Sequence, residues 1–255
     1  MRLHPTIDDV TAEYVLVQAW KKTSTYIRQH NWFADTLEID YTAANLPSFL
    51  SELSNDLRNV DGWRSDPLRL VPAPKSQNWS IDEKTKQWSP IGGGSNVKLR
   101  PLAHASIRDQ VASTAVMLCL ADRVETAQGD PRDVSGVMSY GNRLFCDKET
   151  NSLVHRWGSS RLYRSYFSDY RSFLERPQRI CEALSADNPH LLVVHSDLSR
   201  FYDRVRPDLL HDAISSLQRS EDDPAFYTLA RRVMSWEWHP NDAAQAANPY
   251  YSRWA

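Results

Sequence analysis

The stretch Leu191-Leu192-Val193-Val194-His195-Ser196-Asp197-Leu198-Ser199-Arg200-Phe201-Tyr202-Asp203-Arg204-Val205 decides how this chain is read. Its first half is an apolar, β-branched run, which predicts a buried strand over 190–197. A carboxylate, Asp197, arrives at the strand's C-terminal end, and two aromatics follow it. Pro207 then opens a helix over 207–217, with Leu209, Leu210, Ala213, Ile214 and Leu217 on its inner face. Metal-assisted phosphoryl transfer needs a carboxylate held rigidly in such a place, where a hard cation meets nucleotide phosphates. The backbone carbonyl of Leu198 would be a further oxygen ligand there. An Asp after an apolar run serves equally as turn former or helix cap, so the spacing alone leaves both readings open.

Working back from this stretch, the spacing predicts a helix over 161–175 carrying Leu162, Tyr166, Tyr170 and Phe173, limited by Pro177 and followed by a short helix over 178–186. Arg156, Arg161, Arg164, Arg171, Arg176 and Arg179 share this region with Trp157, Tyr163 and the helix aromatics, against only Asp169 and Glu175. Arginines interleaved with rings suit single-stranded nucleic acid, phosphates on the cations and bases on the rings. An amphipathic helix with a solvated arginine face reads the same way.

Earlier still, residues 126–160 are loop-rich, with 139–144 as a short strand or turn. Ser106 is placed to cap a helix over 107–124 whose middle is apolar on nearly every side, so that helix is buried. Gly92-Gly93-Gly94-Ser95-Asn96 lacks the Lys-Ser/Thr and helix of a phosphate loop and reads as a hairpin tip, with 97–102 as the return strand. Residues 61–90 are Pro-rich and irregular, with Leu68, Leu70 and Val71 as an extended piece. Helices are predicted over 9–32, over 46–59 with Asn45 as cap, and over 224–236.

Composition sets limits on function. The chain has 255 residues, 41% hydrophobic and 24% charged, which excludes global disorder. A net charge of −2 excludes a uniformly basic nucleic-acid binder, so any such role rests on local patches. No run of about 20 apolar residues is present, so no membrane partner is expected. Cys119, Cys146 and Cys181 form no close-spaced pair; a reducing, cytoplasmic setting is expected, without a disulfide or zinc framework. His155, His190, His195, His211 and His239 show no metal-ligand spacing.

Three stretches, in one order, carry a family resemblance. Asp197-Leu198-Ser199-Arg200-Phe201-Tyr202-Asp203-Arg204-Val205 resembles the first carboxylate motif of reverse transcriptases of the group II intron, retron and phage-defence kinds. Arg100-Pro101-Leu102-Ala103-His104-Ala105-Ser106-Ile107-Arg108-Asp109-Gln110-Val111 is similar to a fingers segment of that family. Ser139-Tyr140-Gly141-Asn142-Arg143 is similar to its second fingers motif. The resemblance covers about residues 92–218 and implies an α+β right-hand polymerase fold. It divides the chain into a helical N-terminal region over 1–91, fingers over 92–185 and an incomplete palm over 186–255.

The resemblance also implies roles. Asp197 would be the catalytic carboxylate and, with the Leu198 carbonyl, a ligand of Mg²⁺ or of Mn²⁺ in its place. Phe201 and Tyr202 would hold the nucleotide, with Tyr202 as the steric gate against a ribose 2′-hydroxyl. Lys98, Arg100 and Arg143 would meet the triphosphate of a dNTP, and surface ion pairing is the plainer role for Lys98 and for Arg108 beside Asp109. Arg156, Arg161, Arg164 and Arg171 would contact RNA template and DNA product. The wording of the motifs lies nearest the antiphage-defence branch, for which a non-coding RNA, a further protein chain or an oligomer would be the expected partners.

The sequence departs from the family in one respect. The second carboxylate pair, usually Tyr-x-Asp-Asp, is missing. Asp8-Asp9 lies too early, and Asp222-Asp223 reads as a helix-start loop. Asp197 alone cannot hold two metals, so this chain is expected to be inactive alone and to act as part of a longer or multi-chain enzyme. Two other readings stay open: a non-catalytic nucleic-acid-binding scaffold on a polymerase-like fold, and an unrelated α/β protein in which Asp197 caps the 207 helix region.

Overall fold

The computed structural model describes residues 2–30, 36–74, 79–91, 99–133, 136–185, 190–194, 196–197 and 206–246. Among them the elements run α1 (Ile7–Thr11), α2 (Glu13–His30), α3 (Thr36–Ala44), α4 (Leu46–Arg58), β1 (Arg69–Pro74), β2 (Trp79–Ile81), β3 (Trp88–Pro90), β4 (Leu99–His104), α5 (Ile107–Gln128), β5 (Cys146–Lys148), β6 (Leu153–His155), α6 (Tyr166–Ser185), α7 (Pro207–Ser215), α8 (Pro224–Val233) and α9 (Pro240–Ala246). Helices dominate and the sheets are small, a mixed α+β architecture.

Helix α5 organises the core. Ser106 Oγ accepts from Asp109 N at 3.2 Å and so satisfies an orphan donor at the helix start. Val111, Ala112, Ala115, Val116, Leu118 and Ala121 are all buried, because α1, α2, α4, α8 and β6 surround the helix. Where α2 crosses it, Thr23 and Thr114 share a 2.8 Å hydroxyl hydrogen bond in the buried interface. The helix ends at Gly129, whose φ of 75° favours glycine. A Cβ there would lie 2.2 Å from the Gly136 carbonyl oxygen, so the chain returns too closely for any side chain.

The expected first helix over 9–32 is two helices. Thr6 Oγ1 accepts from Asp9 N, which starts α1 early, and Ala12, with ψ of 135°, turns the chain before α2. The turn allows Val10 and Val15 both to be buried. Asn45 stands at the head of α4 but does not cap it; its amide donates to the Tyr41 carbonyl of the preceding helix at 2.9 Å. Asp223 does cap α8, accepting from Ala225 N at 2.9 Å, so Asp222-Asp223 is the helix-start loop that its polarity predicts.

The sheets are antiparallel pairs. β1 pairs with β4 in the register Arg69↔His104 to Pro74↔Leu99, and β2 pairs with β3 within the connection between them. The base of β1 is tied to the C-terminal segment, where Leu68 N donates to Glu237 O at 2.8 Å and His239 N to Leu68 O at 2.9 Å. β5 and β6 form a short hairpin packed on α5. The expected hairpin tip over 92–96 lies outside the described residues.

Two further expectations need correction. Residues 161–175 and 178–186 do not form two helices: α6 begins at Tyr166 and runs through Pro177 to Ser185. Proline removes one helical hydrogen bond, and here the helix is stitched across it by Arg179 Nη2 to Glu175 at 2.6 Å. The strand expected over 190–197 is not formed among the described residues. Leu192 is 91% and Val194 87% exposed, and none of the described residues pairs with them. An extended apolar run becomes a buried strand only when a ladder partner takes up its backbone groups.

Candidate functional site

The loop between α5 and α6 carries most of the charged and aromatic side chains at issue. Its Ser139–Arg143 turn uses Asn142 in the left-handed region, φ 48°, a conformation that Asn tolerates better than most residues. Just past the turn, Arg143 enters the interior, where its side chain is fully buried. Nε donates to Glu125 Oε2 at 2.9 Å, Nη1 to Ser139 O at 2.7 Å, and Nη2 to the Gly129 carbonyl. The other Glu125 oxygen accepts from Leu144 N at 2.8 Å. The expected phosphate fork at Arg143 is therefore engaged inside the protein, where desolvating a guanidinium demands a carboxylate and carbonyls.

The fingers-like segment divides similarly. Arg108 lies 4.0 Å over the Trp63 ring and pairs with Asp56 at 2.8 Å and Asp109 at 3.0 Å. Asp109 is buried and accepts from Asp66 N at 2.6 Å. Burial pushes its carboxyl up to about 6, against the opposing effect of the Asp66 amide and of Arg108. These two residues fasten the 61–66 loop to the start of α5. Arg100 is on β4 opposite Ala73; its side chain, like Lys98, Leu198, Phe201 and Tyr202, lies outside what is described.

Asp197 is described and exposed. Among the described residues no three His, Cys, Asp or Glu side chains come together to hold a metal ion. Asp197 offers one carboxylate among them.

The four arginines expected to meet nucleic acid separate into two kinds. Arg156 pairs with Asp147, with Nε at 2.7 Å, and covers the Phe145 ring at 4.6 Å. Arg164 pairs at 3.1 Å with Asp169, a carboxylate raised by burial and restrained by Arg164. Arg161 and Arg171 are exposed and have no carboxylate partner among the described residues.

A groove of about 400 Å³ opens between α2 and the 140–169 segment. Its wall includes Tyr26 and Tyr163, in edge contact at 5.6 Å, and Tyr166 with Phe167, whose rings lie 4.3 Å apart. Beneath it Lys22 is wholly buried, its ammonium donating to the carbonyls of Ser159 at 2.5 Å and of Arg156 and Arg161 at 3.4 Å each. Burial first, then the charge of Lys21, lowers this amine to about 8. Lys22 and Tyr26 escape the sequence reading as site residues, whereas Tyr163 is among the rings it set beside the arginines. A signal existed for Lys22: it stands seven residues after buried Val15, on the inner face of α2.

Cys146 and His155 face each other across the β5–β6 hairpin, Sγ to Nδ1 4.0 Å. Burial raises the thiol to about 12 and lowers the imidazole to about 4, so the pair is unreactive near neutrality. No helix among the described residues is long and apolar enough to cross a membrane. Compared with protein-family models, with curated proteins and with solved structures, the chain finds no match.

Proposed function

We propose that this chain is the fingers and the start of the palm of a bacterial reverse transcriptase, an RNA-directed DNA polymerase of the antiphage-defence kind. The observation that carries the reading is that two motif-like stretches are tied to one buried helix. Strand β4, bearing Arg100, runs into Ser106, which caps α5, while Glu125 near the other end of α5 grips Arg143. The third stretch supplies the exposed carboxylate of Asp197.

On this reading Arg143 is a positioning residue that shapes the Ser139–Leu144 turn, and Arg100 remains the candidate for triphosphate contact. RNA template and DNA product would meet Arg161 and Arg171, the two of the four expected arginines without a carboxylate partner among the described residues. Mg²⁺ chemistry would require carboxylates beyond Asp197, from further polypeptide or a second chain.

The test is incorporation of dNTPs on a primed RNA template by the protein. Asp197→Asn abolishes incorporation and leaves the circular dichroism spectrum unchanged; full retained activity removes Asp197 from the mechanism. A second reading, a non-catalytic nucleic-acid scaffold, draws on the missing carboxylate cluster among the described residues. It predicts template binding without incorporation in the unaltered protein.

A further inference from the structure

The groove between α2 and the 140–169 segment is lined chiefly by rings, cations and small polar side chains. Of its sixteen residues five are aromatic, and Leu162 is the lone aliphatic side chain. Four are cationic, Lys22, Arg143, Arg161 and Arg164, and the one acidic residue, Asp169, is already paired with Arg164. Its volume falls in the range of small-ligand sites, roughly 300–1,000 Å³.

The groove is also built in advance. Lys22 clamps the 156–161 loop through three carbonyls, Tyr163 is held against Tyr26, and Arg164 N donates to Arg143 O at 2.9 Å. Phe167 nevertheless leaves 70% of its surface to solvent, and Arg161 stands at the rim. Costly aromatic exposure beside an unneutralised guanidinium marks a surface that a ligand covers.

We propose that this groove is a stacking site for an unpaired base of a single-stranded nucleic acid, with Arg161 taking the adjoining phosphate. A flat π-face is covered by a base, and a free guanidinium by a phosphate. A peptide anchored by leucine- or isoleucine-like side chains would need aliphatic pockets, which the lining lacks. A lone phosphate would leave the rings bare. Beyond Tyr166 and Phe167 the rings continue along α6, Tyr166 to Tyr170 at 6.0 Å and Tyr170 stacked on Phe173 at 6.4 Å. That row gives the strand a direction. The inference deepens the polymerase reading by naming where an unpaired strand rests, and its test requires no incorporation of nucleotides.

The experiment is fluorescence anisotropy of the unaltered chain with labelled oligo(U) and oligo(dT), together with quenching of a 2-aminopurine placed in each strand. Binding with quenching is expected. Phe167→Ala, at an exposed position, weakens it roughly 5- to 150-fold, the range that loss of one stacked base produces. Arg161→Gln reduces the salt slope of log Kd by about 0.7. Arg206→Gln, which alters an exposed arginine paired with Asp208 away from the groove, changes nothing. Preference between the two oligomers tells whether RNA or DNA is the source. Unchanged affinity in Phe167→Ala, no quenching, equal competition by duplex, or displacement by an apolar peptide each overturns the stacking site. Failure of polymerisation with stacking intact would instead sink the enzyme reading alone.

Discussion

Arg143 and Glu125 meet in the interior, Nε to Oε2 at 2.9 Å, with both side chains almost wholly shielded from water. Glu125 comes from the last turns of α5 and Arg143 from the turn that leaves it, so the pair closes the loop over 129–143. Arg143→Met strands the carboxylate, and a loss of about 3–5 kcal/mol in urea unfolding is expected. The double variant Arg143→Met with Glu125→Leu loses less than the sum of the two. Additive losses would show the groups to be energetically independent.

Stability falls with acid through His155. Its imidazole is buried, lacks an Nε2 partner among the described residues, and is lowered to about 4 by burial first and by Lys22 second. A lowered base binds fewer protons folded than unfolded, so stability declines as pH drops from about 6.5 to about 4. The full effect is on the order of 3 kcal/mol. In this window Asp109, raised to about 6, acts the other way. The difference between wild type and His155→Phe in thermal unfolding isolates the histidine, and a pH-independent difference refutes it.

Arg123 ties α5 to the head of α8. It pairs with both oxygens of Asp222, with Nη2 to Oδ1 at 2.7 Å, and Tyr227 Oη donates to the same carboxylate at 2.9 Å. The Arg123 guanidinium holds Asp222 well below the usual carboxylate range. Asp222→Asn should cost roughly 2 kcal/mol at neutral pH. Because a depressed carboxylate stabilises above its unfolded pKa, the gap between wild type and variant narrows below about pH 4. A gap constant from pH 7 to 2 contradicts this.

Tyr202 offers a test of nucleotide selection. If it crowds the sugar as the resemblance implies, Tyr202→Ala raises the kcat/KM of ribonucleotides relative to deoxynucleotides. An unchanged ratio removes the gate from Tyr202.

Some of this was legible in the residues and some was not, for physical reasons. The buried helix after Ser106 and the helix behind Asp223 are local matters: a side-chain oxygen caps nearby amides, and a 3.6-residue period marks the inner face. The chain's own order of residues settles them. Whether residues 191–194 pair into a sheet depends on a second strand distant in sequence, which no local pattern contains. Arg143 is the same case. Arginine types alone suit a phosphate or a salt bridge equally, and only the arrival of Glu125 from α5 turns its guanidinium inward. The sequence by itself determined the helix that Ser106 caps, the helix behind Asp223 and which residues are apolar. The tertiary structure alone decided which cations are already neutralised and which, like Arg161, stay exposed beside bare rings, because pairing depends on distance in space and not along the chain.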